Sequence, residues 1–164
     1  MTEFKRILVP LDGSPLSERA LPVATALARA FGSEIILLRV LDIPTPTSPT
    51  SHPEVTIAWV REARAQACLE AERYLDARQQ EVYQQGIQVR ALMRDHSPAQ
   101  DILQVAGSEE VDLVVMSAHG QGGLARWTFG SVADKVASHS PCPVLLVRYS
   151  ADAGKVMQEV QNPI

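Results

Sequence analysis

Short, almost wholly apolar runs recur along this chain with helix-forming segments between them, and no other feature limits its fold so strongly. Ile7-Leu8-Val9-Pro10-Leu11, Glu34–Leu41, Val111–Met116 and Val144–Val147 each carry apolar residues at consecutive positions. A strand with one wet face alternates apolar and polar residues, whereas a strand covered on both faces reads as a continuous run. Ile87–Met93 alternates early on, which suits a strand nearer the sheet edge. Between the runs lie segments with helical spacing. Ala20, Leu21, Ala24, Leu27, Ala28 and Phe31 form one apolar face of a helix over Leu16–Phe31 that Gly32 closes, with Pro22 marking a kink or a late start. Trp59–Gln85 is a long helix with Val60, Ala63, Ala67, Ala71 and Leu75 facing a core, and Gly86 ends it.

Ser97-Pro98-Ala99-Gln100 has the form of a capping box, with Ser97 at the N-cap, Pro98 first in the helix and Gln100 reaching back. That helix runs to about Gly107, and a last one spans Ser131 to about His139. Five strands and four helices in alternation predict an α/β fold: a single five-stranded parallel sheet, helices on both faces, and a ligand crevice at the carboxyl ends of the strands. Residues 1–150 form the domain. Within it, 43–55, rich in Pro, Thr and Ser, reads as a mobile loop, and 151–164 reads as a frayed polar tail.

Size and charge narrow the function. A chain of 164 residues, 46% hydrophobic, makes one well-packed domain. Its net charge of −4 and scattered basic residues argue against a nucleic-acid partner. Cys68 and Cys142 lack the spacing of a zinc or redox site and read as reduced thiols. No apolar run approaches membrane-spanning length and the start lacks a signal-peptide pattern, so the expected location is cytoplasmic, with no membrane partner.

The region after the fourth run carries the chemistry. Ser117-Ala118-His119-Gly120 follows Val114-Val115-Met116 directly, and Gly130-Ser131 opens the last helix. Small residues let a backbone approach a ligand, and the free N–H groups and positive dipole end of a helix start face an anion. The layout points to a phosphorylated small molecule. It is neither a lysine-bearing P-loop nor a dinucleotide fingerprint, since GxxxxGK[ST] and GxGxxG are both missing. Asp12, ending the first strand, is either an acceptor for a ribose hydroxyl or an Asx-turn residue, and Met116 either a ligand contact or core. His119 and Arg126 are minor candidates for phosphate contact.

With Ile7-Leu8-Val9-Pro10-Leu11-Asp12-Gly13-Ser14, Val114–Gly120, Gly130-Ser131-Val132 and Pro141–Val147, the chain resembles the universal stress protein family over about residues 4–148. Its ATP-binding members carry Gly, two residues, Gly, nine residues, Gly, then Ser or Thr; here Gly120, Gly130 and Ser131 match, and Ser117 stands at the first Gly. The resemblance implies an adenine nucleotide alpha hydrolase-like, Rossmann-like fold with an adenine nucleotide across the strand ends. Pro10, Leu11 and Asp12 would lie beside the nucleoside, Val40 would pair the adenine edge through its backbone, and Met116 would line the pocket. Ser117, His119, Gly120, Gly130, Ser131 and Val132 would surround the phosphates. The ligand expected is ATP, with or without Mg2+, the alternatives being AMP, ADP or cAMP.

No catalytic pair and no metal ligands stand out, and amides that hold ground state and transition state alike give affinity without rate. The expectation is a nucleotide-binding sensor or regulator of the stress response, with at most slow ATP hydrolysis or autophosphorylation. A dimeric interaction scaffold without nucleotide is the alternative, favoured by Ser117. The apolar edge strand 144–148 invites homodimerisation, as the resemblance also implies, and a regulator requires a protein partner the sequence leaves unidentified.

Overall fold

A computed structural model describes residues 4–41, 53–119 and 129–148. In chain order the elements are β1 (Arg6–Leu11), α1 (Pro15–Glu18), α2 (Ala20–Phe31), β2 (Glu34–Val40), α3 (Pro53–Tyr83), β3 (Val89–Arg94), α4 (Pro98–Ser108), β4 (Leu113–Ser117), α5 (Ser131–His139) and β5 (Val144–Val147). The strands form one five-stranded sheet of order β3-β2-β1-β4-β5, every pairing parallel. Both strands expected near or at an edge, β3 and β5, lie there.

The continuous apolar runs bury both faces. Ile7, Val9, Ile35, Leu37 and Val115 pack under α2 and α3 with Ala24, Ala28, Leu75 and Val82. Leu8, Ile36, Leu38, Val114 and Met116 pack under α4 and α5 with Ile102, Val105, Ala133 and Val136. Successive side chains of a strand point to opposite faces, so each run serves both cores. Reversal of strand order between β1 and β4 makes their carboxyl ends the topological switch point, where open α/β sheets leave a crevice.

The interruption that Pro22 marks in the first helical segment is a split at Arg19 into two helices, because Pro22 has no N–H to give the Glu18 carbonyl. Four local expectations are corrected. Phe31 is 49% exposed and meets Phe4 edge-on, its ring centroid 5.3 Å away, instead of entering the core. Helix α3 starts at Pro53, six residues before Trp59, so 53–55 belong to it and not to a loop; residues 43–52 and 151–164 of the expected loop and tail lie outside the described residues. A proline at the first helical position needs no N–H partner, which makes Pro53 a fitting start. Among the α3 residues whose burial is described, Ala71, Leu75 and Val82 are buried, while Val60, Ala63 and Ala67 are half-buried.

The fourth correction concerns α4. Ser97 is its N-cap residue and Pro98 its first helical residue, but the Ser97 side chain makes no capping bond. Instead the buried Asp101 carboxylate reaches back and accepts the His96 backbone N–H at 3.0 Å. A carboxylate there also meets the positive end of the helix dipole.

Candidate functional site

At the carboxyl end of β1 the chain turns sharply through Asp12-Gly13-Ser14. Gly13 has φ +83°, a left-handed conformation, and a Cβ built there would stand 3.5 Å from the Arg39 guanidinium. The Asp12 carboxylate accepts the Ser14 N–H at 2.8 Å, so it forms the Asx-turn that its residue type permits. Ser14 then caps α1, its hydroxyl accepting the Ser17 N–H at 3.1 Å, and the Ser17 hydroxyl donates to the Ser14 carbonyl at 2.9 Å. The Ser17 hydroxyl also accepts the Asp12 N–H at 3.3 Å, so the backbone and one carboxylate oxygen of the half-buried Asp12 are both held in the turn at the edge of the crevice.

Across the crevice, β4 ends at Ser117, whose hydroxyl accepts the His119 N–H at 3.4 Å. Ala118 donates its N–H to the Val147 carbonyl at 3.0 Å, and the Ala118 carbonyl accepts the Gly130 N–H at 2.9 Å. Gly130 is the N-cap of α5 with φ −60° and ψ 152°, and among the described residues no side chain caps that helix. Its first-turn N–H groups are therefore left to whatever enters the crevice, with the positive end of the dipole behind them.

Between these walls lies a cavity of about 490 Å³, within the range typical of small-molecule pockets. Ten residues singled out from sequence line it: Pro10, Leu11, Asp12, Val40, Met116, Ser117, His119, Gly130, Ser131 and Val132. Gly120 and Arg126 lie outside the described residues. Met116 is 6% exposed, a member of the core and of the cavity wall at once. Among the described residues Ala118 and Ala133, which stand within the loop and helix start read from sequence, also line it, as do Leu38, Arg39, Pro98, Ile102 and Ser17, which were not anticipated. Ile102 and Pro98 arrive from α4, and no local signal separates them from any other helix residue. Leu38 and Arg39 directly precede Val40, so their place at the strand end was the available signal.

Behind the Asp12 turn, on the sheet face opposite α4, a second polar group is assembled. Arg78 Nη1 lies 3.4 Å from the Glu18 carboxylate, and burial first, then that carboxylate, raises the pKa of the Tyr74 hydroxyl. Among the described residues no three His, Cys, Asp or Glu side chains group to hold a metal ion, and no helix is long and apolar enough to cross a membrane.

Comparison with known proteins shows the family and the fold. The model of the universal stress protein family matches residues 3–148. Universal stress protein YxiE of Bacillus subtilis is 33% identical over 147 residues, covering 88% of this chain and 99% of that protein. Among solved structures, MJ0577, described as a structure-based assignment of biochemical function, superposes with TM-score 0.77 at 28% identity, covering 90% of this chain and 98% of its own. Two more distant structures share the fold: a universal stress protein in complex with cAMP (23% identity, TM-score 0.56, 90% and 99% covered) and an Arabidopsis thaliana family protein with AMP bound (19%, 0.59, 90% and 94%).

Proposed function

The chain belongs to the universal stress protein family, and from that premise we propose that it binds an adenine nucleotide, ATP foremost, at the β1/β4 crevice and acts as a cytoplasmic sensor or regulator. One observation carries the reading: residues from both ends of the chain, Asp12 and Val40 on one side and Gly130, Ser131 and Val132 on the other, line a single cavity that ends on the uncapped start of α5. The donor set fits a nucleotide. Apolar Val40, Ile102 and Met116 would hold a base, the Asp12 carboxylate would accept from a ribose hydroxyl, and the α5 amides with the Ser131 hydroxyl would take phosphate oxygens. That the distant structures hold cAMP and AMP supports the ligand class.

What these residues do is bind and orient. Hydrogen bonds to a charged acceptor contribute about 1.5–3 kcal/mol each, so three or four give about 4.5–12 kcal/mol before the cost of association, a gross sum that spans the roughly 8 kcal/mol of a micromolar complex, with burial of the base on apolar residues adding to it. Calorimetric titration of nucleotide-stripped protein with Mg-ATP, beside a folded Gly130→Asp variant, tests the reading. Saturable binding in the parent that is lost in the variant supports it, and absence of heat or competition at millimolar nucleotide sinks it. A dimeric scaffold is the second reading, favoured by Ser117: its Cβ and hydroxyl stand at a position the motif gives to Gly, with the hydroxyl turned to the His119 N–H. Under the nucleotide reading Ser117→Gly tightens binding, whereas the scaffold reading has it do nothing. The β5 edge, with Leu145 39% exposed, is the proposed homodimer contact, and sedimentation showing only monomer at micromolar concentration overturns that part.

A further inference from the structure

We propose that Arg148 is a positioning residue for the anion-facing start of α5, acting through Phe129; the proposal deepens the nucleotide-binding reading of that site. Arg148 directly follows β5, and its guanidinium carbon lies 4.9 Å from the centroid of the Phe129 ring, inside the range in which a cation is held by an aromatic face. Phe129 directly precedes Gly130. The N-cap glycine brings no side chain to anchor its own backbone, and glycine has the widest conformational choice of any residue. What holds it must come from neighbours.

Among the described residues two links do so, and both run from the end of β5. Through the backbone, the Val147 carbonyl accepts the Ala118 N–H and the Ala118 carbonyl accepts the Gly130 N–H. One residue outward at each end, Arg148 covers Phe129. Phe129 is 39% exposed, a large apolar ring at the surface, and the weakly hydrated plane of an arginine covers such a ring at little desolvation cost. The backbone link fixes where Gly130 sits, and the side-chain link opposes rotation of the chain entering it. Directions of the α5 first-turn amides follow from both. Affinity for an anion then depends on Arg148 even though the residue need not touch the ligand, since a pre-ordered donor set binds at lower entropic cost.

The test uses the full chain, ligand-free, with Arg148→Gln, Phe129→Leu and the double variant. Amide hydrogen exchange is read by NMR at Gly130, bonded to Ala118, and at Asp134, bonded to the Gly130 carbonyl, with Ser140 at the far end of α5 as the control for folding. Each single variant is expected to speed exchange at Gly130 and Asp134 about two- to five-fold, and the double variant no more than either one. Unchanged exchange in the singles, or additive effects in the double, overturns the proposal. The same proteins are titrated with AMP and with adenosine: AMP is expected to bind about two- to five-fold more weakly to both single variants while adenosine binds as before. A loss confined to Arg148→Gln, with Phe129→Leu unaffected, also overturns the proposal and makes Arg148 a direct phosphate ligand. If the parent binds neither AMP nor adenosine, the nucleotide reading fails while the exchange rates still decide the clamp.

Discussion

Replacing Asp101 with Ala should destabilise the protein far more than replacing Ser97, although Ser97 has the residue type and the position of a helix cap. Asp101 is 2% exposed, its Oδ2 accepts the His96 N–H at 3.0 Å, and it lies in the first turn of α4. A hydrogen bond to a charged group contributes about 1.5–3 kcal/mol, and a carboxylate at a helix start about 0.3–1 kcal/mol. Removing the charge also removes the cost of burying it, which brings the expected loss to about 2 kcal/mol. For a domain of this size that lowers Tm by about 4–8 °C. Asp101→Asn keeps an acceptor without charge and should lose about 1 kcal/mol. Ser97→Ala removes a side chain that makes no capping bond and should lose under about 0.5 kcal/mol. Urea unfolding followed by far-ultraviolet circular dichroism, with equal m values across the set, measures all three. A loss under about 0.5 kcal/mol for Asp101→Ala, or an equal loss for Ser97→Ala, would refute the assignment of the cap. Because Pro98 and Ile102 line the cavity from the same helix start, Asp101→Ala should also weaken nucleotide binding at temperatures where the protein stays folded.

Ile102 is 3% exposed and belongs to both the core and the cavity wall, so Ile102→Ala should cost about 2–4 kcal/mol in urea unfolding and weaken nucleotide binding by calorimetry; stability loss with unaltered affinity would remove it from the base pocket. Burial, then Glu18, raises the Tyr74 pKa, so its contribution to stability is complete below the unfolded value of about 10 and is lost as pH rises from there toward the folded value. Thermal melts from about pH 9 to about pH 11 should therefore fall more steeply for the parent than for Tyr74→Phe, and parallel curves would contradict that sign. Glu110 holds φ 50° just after α4, where Gly relieves about 1–2 kcal/mol and returns about 0.5–1 kcal/mol as unfolded-chain entropy. Its ion pair with Arg6 is exposed to solvent and contributes little, so Glu110→Gly should raise Tm by about 1–4 °C in a melt, and a lower Tm would show that the pair matters.

Sequence alone determined the strands, the parallel α/β architecture and most of the crevice, because a doubly covered strand must be apolar at consecutive positions and a helix must be so at every third or fourth. Small residues at strand ends are legible for the same reason: they act through their own backbone, within a few positions of where they stand. Other features depended on groups meeting from elsewhere. Asp101 and not Gln100 reaches back across the start of α4, to the His96 N–H just before the N-cap, and the Ser97 hydroxyl makes no capping bond, since a buried carboxylate must find a donor whereas an exposed Gln100 is served by water. The N-terminal half of α3 forms a helix but leaves Val60, Ala63 and Ala67 half-buried, because spacing predicts a helical face and only the sheet decides how much of it is covered. Ile102 enters the cavity only when α4 packs on β2 and beside α5, and Arg148 finds Phe129 only when β5 closes beside β4. Period and turn chemistry are local and survive in the written chain; which distant side chains share one crevice is fixed by packing, and only the folded sheet sets it.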